Sequence, residues 1–275
     1  MDKKDLQNPA LYTNRELSWL LFNKRVLSEA RDKQLLLFER LKFLSITASN
    51  LDEFFMVRIG SLVDMIHAEY TKKDIAGMSA KEQLDALMEE THKFAALQYS
   101  TYNRMLLPQL RANGLNFVEH HEQLTERQAQ YVDEYFEENV YPVLTPMAVD
   151  SSRPFPLIRN KTLNIGALVA KKGEKDTEIE FATVQVPSVL PRVVRIPAAK
   201  EGDTEVAVLL LEEIIERNIS KLFLNYNVLC AHPFRITRNA DLAIDEDEAE
   251  DLLLEIEKQI KKRTWGQAIR LEIEA

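Results

Sequence analysis

The feature that most constrains the fold is a change in the spacing of apolar residues near Gly114. Before it, apolar residues recur every three or four positions, and Gly60 and Gly77 are the only glycines, which predicts helices. After it, segments such as LNFVE alternate apolar and polar residues, as half-buried strands do. We therefore predict an α+β protein, with an amino-terminal helical bundle at residues 1–110 and a mixed α/β domain at residues 111–275.

In the helical part, the sequence indicates where several of the helices begin. A first helix is predicted after Asn14, a second over Leu35 to Ile46 and a third over Leu51 to Tyr70, and the pattern leaves open whether residues 47–50 separate the last two. Ser79 with Glu82 has the spacing of a capping box, in which each side chain satisfies a free backbone N–H, and so predicts the start of a long amphipathic helix.

The second part is predicted to mix strands and helices. Thr125 with Gln128 predicts another capped helix, and four prolines in YPVLTPMAVDSSRPFPLI predict an extended connection. Strands are predicted at 162–170, 178–186, 192–196 and 227–237 and in the final AIRLEIEA, and helices at 209–223 and 245–263. The second of these helices has acidic residues early and basic residues late, as the helix dipole favours. We expect its acidic face to point to solvent or a partner.

Composition excludes several classes of protein. The net charge is −9, and the acidic excess lies after residue 110, so we expect no nucleic-acid partner. No apolar run approaches the ~20 residues that span a bilayer, and the first residues lack the apolar core of a signal peptide, so we expect a cytoplasmic protein. The single cysteine, Cys230, fits a reducing compartment, and we expect it to be a small buried residue.

Motifs that carry chemistry are scarce. The five histidines, at positions 67, 92, 120, 121 and 232, form neither an HExxH motif nor an i, i+4 pair, so we expect no metal site. The GxxxxGK[ST], GxGxxG and GxSxG motifs are absent from the sequence. Composition and motifs alone therefore predict a two-domain globular protein and leave its activity open.

Four long strings carry a family resemblance. NRELSWLLFNKRVLSEA (14–30) and LLFERLKFLSITASNLDEFFMVRIGSL (36–62) closely resemble the helical amino-terminal domain of bacterial polyphosphate kinase, the long form that makes inorganic polyphosphate from ATP. YPVLTPMAVDSSRPFPLIRNKTLNIGALV (141–169) and the stretch from AHPFRITRNADLAIDED (231–247) to the end resemble the head domain of that family. The resemblance is collinear and covers nearly the whole chain.

The resemblance implies an enzymatic activity whose catalytic residues lie outside this chain. Family members reversibly move the terminal phosphoryl group of ATP through a phosphohistidine to polyphosphate, using Mg²⁺. The histidine, the phosphate-binding arginines and the metal ligands belong to two carboxy-terminal domains that resemble phospholipase D. None of the five histidines here has the H-x-K pattern of those domains. We therefore expect no catalytic residue and no activity in this chain alone. The head domain implies a homodimer or larger homo-oligomer.

One binding residue transfers by the resemblance. The asparagine of the NLDEF string is assigned to the ATP site near the base, and here it is Asn50. From the residues alone a structural role is favoured, because Asn50 with Glu53 also has the spacing of a helix cap. The resemblance favours nucleotide contact, and the two roles are compatible. For Ser49, Asp52, Glu53 and Arg58 a solvated or helix-pairing role is favoured.

Two interpretations of the whole chain remain open. The final AIRLEIEA stops without a turn, a cap or a polar tail, which favours the amino-terminal piece of a polyphosphate kinase, truncated at its carboxy-terminal end. The alternative is a stand-alone, non-catalytic module that binds nucleotide or mediates assembly.

Overall fold

The computed structural model describes residues 5–149, 156–173, 178–240 and 266–274. Within this part of the chain the α-helices are α1 (Arg15–Arg31), α2 (Leu37–Phe54), α3 (Gly60–His67), α4 (Ala80–Thr101), α5 (Leu107–Ala112), α6 (Glu126–Tyr135) and α7 (Leu211–Arg217). The strands are β1 (Leu115–Val118), β2 (Pro146–Val149), β3 (Leu163–Lys171), β4 (Ile179–Gln185), β5 (Val193–Ile196), β6 (Val206–Leu210), β7 (Tyr226–Arg238) and β8 (Ala268–Ile273). The predicted α+β class is confirmed.

The described residues group into two compact units. The first contains the residues up to Gln109 together with 237–240 and 266–270, and the second contains 110–236 and the residues from Leu271 onward. The ends of β7 and β8 therefore belong to the helical unit. The division of the chain into two domains, at residues 1–110 and 111–275, stays a prediction.

In the helical unit, α1 packs against α2 and α4. Its core contains Leu27, Leu87 and Phe94, all fully buried, and the ring of Trp19 stacks on Phe54 with centroids 4.5 Å apart. The capping box predicted at Ser79 is present: its hydroxyl accepts from the Glu82 backbone N–H, and the Glu82 carboxylate accepts from the Ser79 N–H.

The predicted second and third helices have different bounds in the structure. α2 runs without a break through residues 47–50 to Phe54, and a π-helical turn at Phe55–Ile59 joins it to α3. The predicted end at Ile46 is therefore wrong, because the polar side chains of this stretch hydrogen-bond to other groups instead of ending the helix. A second π-helical turn, Tyr102–Leu106, joins α4 to α5.

The second unit contains two sheets. One has the order β1-β6-β5, in which β1 and β6 are parallel and β5 and β6 antiparallel. The other has the order β2-β4-β3-β7-β8, with antiparallel pairs from β2 through β7. Pro146 is the first residue of β2 at the edge of the sheet, where a missing N–H is tolerated. The predicted capping box of Thr125 and Gln128 opens α6.

Three expectations about this unit are corrected or untested. Residues 209–223, predicted as a helix, contain the end of β6 and the short α7. Cys230 is exposed, because it lies on β7 opposite Leu168, which is itself 40 % exposed, on the outer face of the sheet. The helix predicted at 245–263 lies outside the described residues.

Candidate functional site

Asn50 lies within α2 in the helical unit and is half-buried. Its amide Nδ2 donates to Oδ1 of Asn23 on α1, at 3.0 Å. Asn23 is fully buried, and its own amide donates to the backbone oxygen of Thr47, at 3.1 Å. Asn23 therefore holds the side chain of Asn50, and Asn23 is itself oriented by its hydrogen bond to Thr47 on α2.

The hydrogen bonds continue from Thr47 to α4. The Thr47 hydroxyl donates to the backbone oxygen of Leu44 and accepts from Nε2 of Gln98, at 2.9 Å. A chain of hydrogen bonds, Asn50–Asn23–Thr47–Gln98, thus connects α2, α1 and α4, with Thr47 contributing its backbone oxygen to Asn23 and its hydroxyl to Gln98. Because buried amides cost free energy unless they are paired, this network specifies one arrangement of the three helices around Asn50.

The capping role considered for Asn50 is wrong. α2 begins after Leu36, more than three turns earlier, and continues past Asn50 to Phe54. Asparagine inside a helix competes for backbone groups unless its side chain has another partner, and here Asn23 is that partner. The structural alternative to nucleotide contact is therefore a tertiary hydrogen bond.

The residues after Asn50 serve mainly in packing and ion pairing. The Asp52 carboxylate accepts from Arg270 at 3.4 Å, and the Arg270 guanidinium lies 4.9 Å from the centre of the Phe55 ring. Arg58 is 3.9 Å from Glu16 on α1. Ser49 and Glu53 are exposed. The positions of Ser49, Glu53 and Arg58 agree with the solvated and helix-pairing roles favoured from sequence. Asp52 is instead buried, and its partner Arg270 lies on the strand β8.

A charged contact also joins α1 to α4. Lys24 Nζ lies 2.7 Å from Glu90 Oε2, and Lys93 lies 2.9 Å from the other oxygen of that carboxylate. Hydrogen bonds from Lys24 and then Lys93 lower the pKa of Glu90 to about 2. The carboxylate therefore stays ionised across the physiological range.

Asn23, Thr47 and Gln98 were missed by the sequence reasoning. A signal was present for one of them, because Asn23 occupies the buried stripe of α1 between Leu20 and Leu27. A polar residue at such a position needs a partner, which predicts a buried hydrogen bond. Its partners on α2, and the bond from Gln98 on α4 to Thr47, could not be read from the sequence.

Comparison with known proteins gives two family matches. Residues 12–118 match the family described as "Polyphosphate kinase N-terminal domain", and residues 127–275 match that described as "Polyphosphate kinase middle domain". The chain therefore belongs to the polyphosphate kinase family. The resemblance of the four long strings is confirmed.

Similar proteins in the polyphosphate kinase family are longer. The chain is 49 % identical to a polyphosphate kinase of Halalkalibacterium halodurans over 98 % of this chain and 38 % of that protein. It is 48 % identical to one of Lactiplantibacillus plantarum, over 96 % of this chain and 36 % of that protein. The crystal structure of polyphosphate kinase from Porphyromonas gingivalis matches with a TM-score of 0.73 and 28 % identity, over 92 % of this chain and 38 % of that one. The chain thus spans less than two fifths of these relatives.

None of the helices in the described part of the chain is long and apolar enough to cross a membrane.

Proposed function

We propose that this chain is the amino-terminal and middle part of an enzyme that transfers the terminal phosphoryl group of ATP reversibly to inorganic polyphosphate. The observation that supports this most is the match of both family domains, in order, along the chain. The similar proteins carry the name polyphosphate kinase and are more than twice as long.

Asn50 is proposed to contact the adenine base of ATP. Adenine presents a hydrogen-bond donor beside an acceptor, and a side-chain amide offers both complementary groups. The bond to Asn23 uses one amide proton of Asn50, which leaves the second proton and the carbonyl oxygen for a ligand. The Asn23–Thr47–Gln98 network would hold the amide in place, so that little ordering is required when nucleotide binds.

The transfer itself is proposed to use a histidine outside this chain. In the first step an imidazole nitrogen attacks the terminal phosphorus of ATP and ADP leaves. In the second, a terminal oxygen of polyphosphate attacks that phosphorus and releases the imidazole. Cationic groups and Mg²⁺ normally neutralise the charge of such a reaction. Asn50 offers one neutral carbonyl oxygen, and the nearby Asp52 carboxylate is paired with Arg270, so we propose that the Mg²⁺ ligands lie outside this chain.

We further propose that the second unit contributes subunit contacts in a homodimer or larger homo-oligomer, and that the enzyme works in the cytoplasm. The proposed oligomer rests on the family, and the proposed location rests on the composition of the sequence. Light scattering of the purified gene product measures the oligomer, and a single monomeric species would refute that part.

The first test is the mass of the protein that the gene produces in its own cells, compared with 31.8 kDa. We expect more than twice that mass, and the same protein should form acid-labile phosphohistidine and polyphosphate from γ-labelled ATP. A product of 31.8 kDa without these activities would refute the kinase proposal and favour a stand-alone binding or assembly module. A long product that makes no polyphosphate would also refute it.

A further inference from the structure

A second group of chemically active side chains lies in the second unit, unrelated to Asn50. A cavity of about 250 Å³ is lined by three histidines and four glutamates: His120, His121, Glu122, Glu213, Glu216, His232 and Glu274. Among the residues that the structure describes, no lysine or arginine contributes to this lining. Four carboxylates therefore face one small space with only imidazoles to balance them.

The fold assembles these residues from separate segments. Glu213 and Glu216 are three residues apart on α7 and so lie on one helix face. His232 lies on β7, and the backbone N–H of Glu274 donates to Pro233 O at 3.3 Å, which places Glu274 beside His232. His120 follows β1, whose neighbour β6 leads directly into α7.

The distances are those of ligands around a small cation. His232 Nδ1 lies 3.6 Å from Glu216 Oε1 and 3.7 Å from Glu274 Oε2. Two donors bound tetrahedrally at zinc distances are separated by about 3.3–3.6 Å. His120, Glu213 and Glu274 form a second set, with all donor atoms of each set within 4.8 Å of one another. Glu274 is common to both sets.

One member of the group is held in place by a further residue. The Glu213 carboxylate is 5 % exposed, accepts the His121 backbone N–H at 2.9 Å, and lies 3.3 Å from His121 Nδ1. Oxygen Oε1, on the other side of the carboxylate, faces His120 Nδ1 at 4.0 Å. Partners that orient a ligating carboxylate in this way are typical of metal centres.

The electrostatics of the cavity favour a cation. The pKa of Glu216 is raised to about 8, first by burial and then by the negative charges of Glu213, Glu274 and Glu122. Burial also raises the pKa of Glu213. A bound divalent ion would relieve both the desolvation and the mutual repulsion.

We propose that this cavity is a binding site for a divalent transition-metal ion, held by Glu216, His232 and Glu274, with His120 and Glu213 as the adjoining donor set. Mixed imidazole and carboxylate donors suit Zn²⁺, whereas Mg²⁺ and Ca²⁺ prefer oxygen donors alone. His232 is 63 % exposed, which leaves a side open for entry and for a water ligand. The site does not depend on the proposed kinase function, because its donors lie in the second unit.

The test is calorimetric titration of the EDTA-treated chain with ZnCl₂. We expect at least one equivalent to bind, and Glu274→Gln to weaken binding by about 100-fold or more, since loss of even an indirect partner costs 10- to 100-fold. His232→Gln should have a similar effect. Glu138→Gln and His92→Gln remove an exposed carboxylate and an exposed imidazole elsewhere in the chain, and should leave binding unchanged.

Several outcomes would overturn the proposal. They are no binding below millimolar Zn²⁺, equal binding by Glu274→Gln and Glu138→Gln, or Mg²⁺ binding as tight as that of Zn²⁺. Far-UV circular dichroism in EDTA shows whether each variant folds. Should the Glu274 variant fail to fold, zinc X-ray absorption of the unmodified chain decides: nitrogen ligands at about 2.0–2.1 Å with imidazole scattering support the site, and oxygen ligands alone overturn it.

Discussion

Replacing Asn50 with alanine separates its two proposed roles. The substitution removes the 3.0 Å hydrogen bond to Asn23, whose side chain is fully buried. A buried acceptor left without a donor costs about 1–3 kcal/mol. Because Asn50 is half-buried, water can partly replace it, and we expect a loss of about 1–2 kcal/mol in the free energy of unfolding. For a chain of this size, that corresponds to a Tm about 2–8 °C lower.

The same variant should weaken ATP use. Two hydrogen bonds to adenine are together worth about 1–2 kcal/mol, which raises the KM for ATP about 5- to 30-fold. The assay is polyphosphate synthesis by the full gene product, at a temperature well below the Tm of the variant, so that unfolding does not contribute. Differential scanning calorimetry of the 275-residue chain with the same substitution gives the stability.

The matched control is Asn103→Ala, which removes an exposed amide from the same helical unit and should change neither quantity. An unchanged KM together with the expected fall in Tm would refute nucleotide contact and leave Asn50 with only its bond to Asn23. A Tm equal to that of the unmodified protein would refute the expected loss of stability, which assumes that Oδ1 of Asn23 is left without its donor.

Three further predictions concern stability. Leu27→Ala removes a fully buried side chain from the helical core and should cost about 2–5 kcal/mol in urea unfolding. Ser79→Ala removes the cap of α4 and should cost about 1 kcal/mol in the same assay. The pKa of Asp133 is lowered, chiefly by hydrogen bonds from Arg217, so its stabilisation is present above the unfolded pKa of about 4 and is lost as the pH falls through the folded value. Asp133→Asn should therefore flatten the acid side of the stability profile.

Each of these has a result that would contradict it. A cost below about 1 kcal/mol for Leu27→Ala would mean that the core closes over the cavity. Equal effects of Ser79→Ala and of Ser100→Ala, a residue within the same helix, would remove the capping explanation. An acid profile unchanged by Asp133→Asn would show that the Arg217 contact contributes no net stability.

Local signals predicted most of the secondary structure. The capping boxes at Ser79 and Thr125 involve residues only three apart, so a helix start can be read without knowing the rest of the fold. Alternating strands such as β3 and β7 were predicted within a residue or two of their ends for the same reason. β6 was missed because it is a continuous apolar run that leads directly into α7, and periodicity does not distinguish such a run from a helix.

Contacts between residues far apart in the chain could not be predicted from the sequence. The hydrogen-bond partner of Asn50 within the continuous α2 is Asn23, which is 27 residues away on another helix. The exposure of Cys230 depends on which face of β7 the rest of the unit covers.

The sequence by itself determined the family, the α+β class and most of the helices and strands, because these depend on long residue strings and on local periodicity. Only the tertiary structure decided what individual polar side chains contact. The histidines and glutamates of the second-unit cavity come from four segments, and their spacing along the chain matches no metal motif. Folding alone brings together the donor atoms of His120, Glu213 and Glu274, and those of Glu216, His232 and Glu274, within 4.8 Å in each set. These residues lie on α7 and β7 or shortly after β1 and β8, and packing decides which of these elements are neighbours.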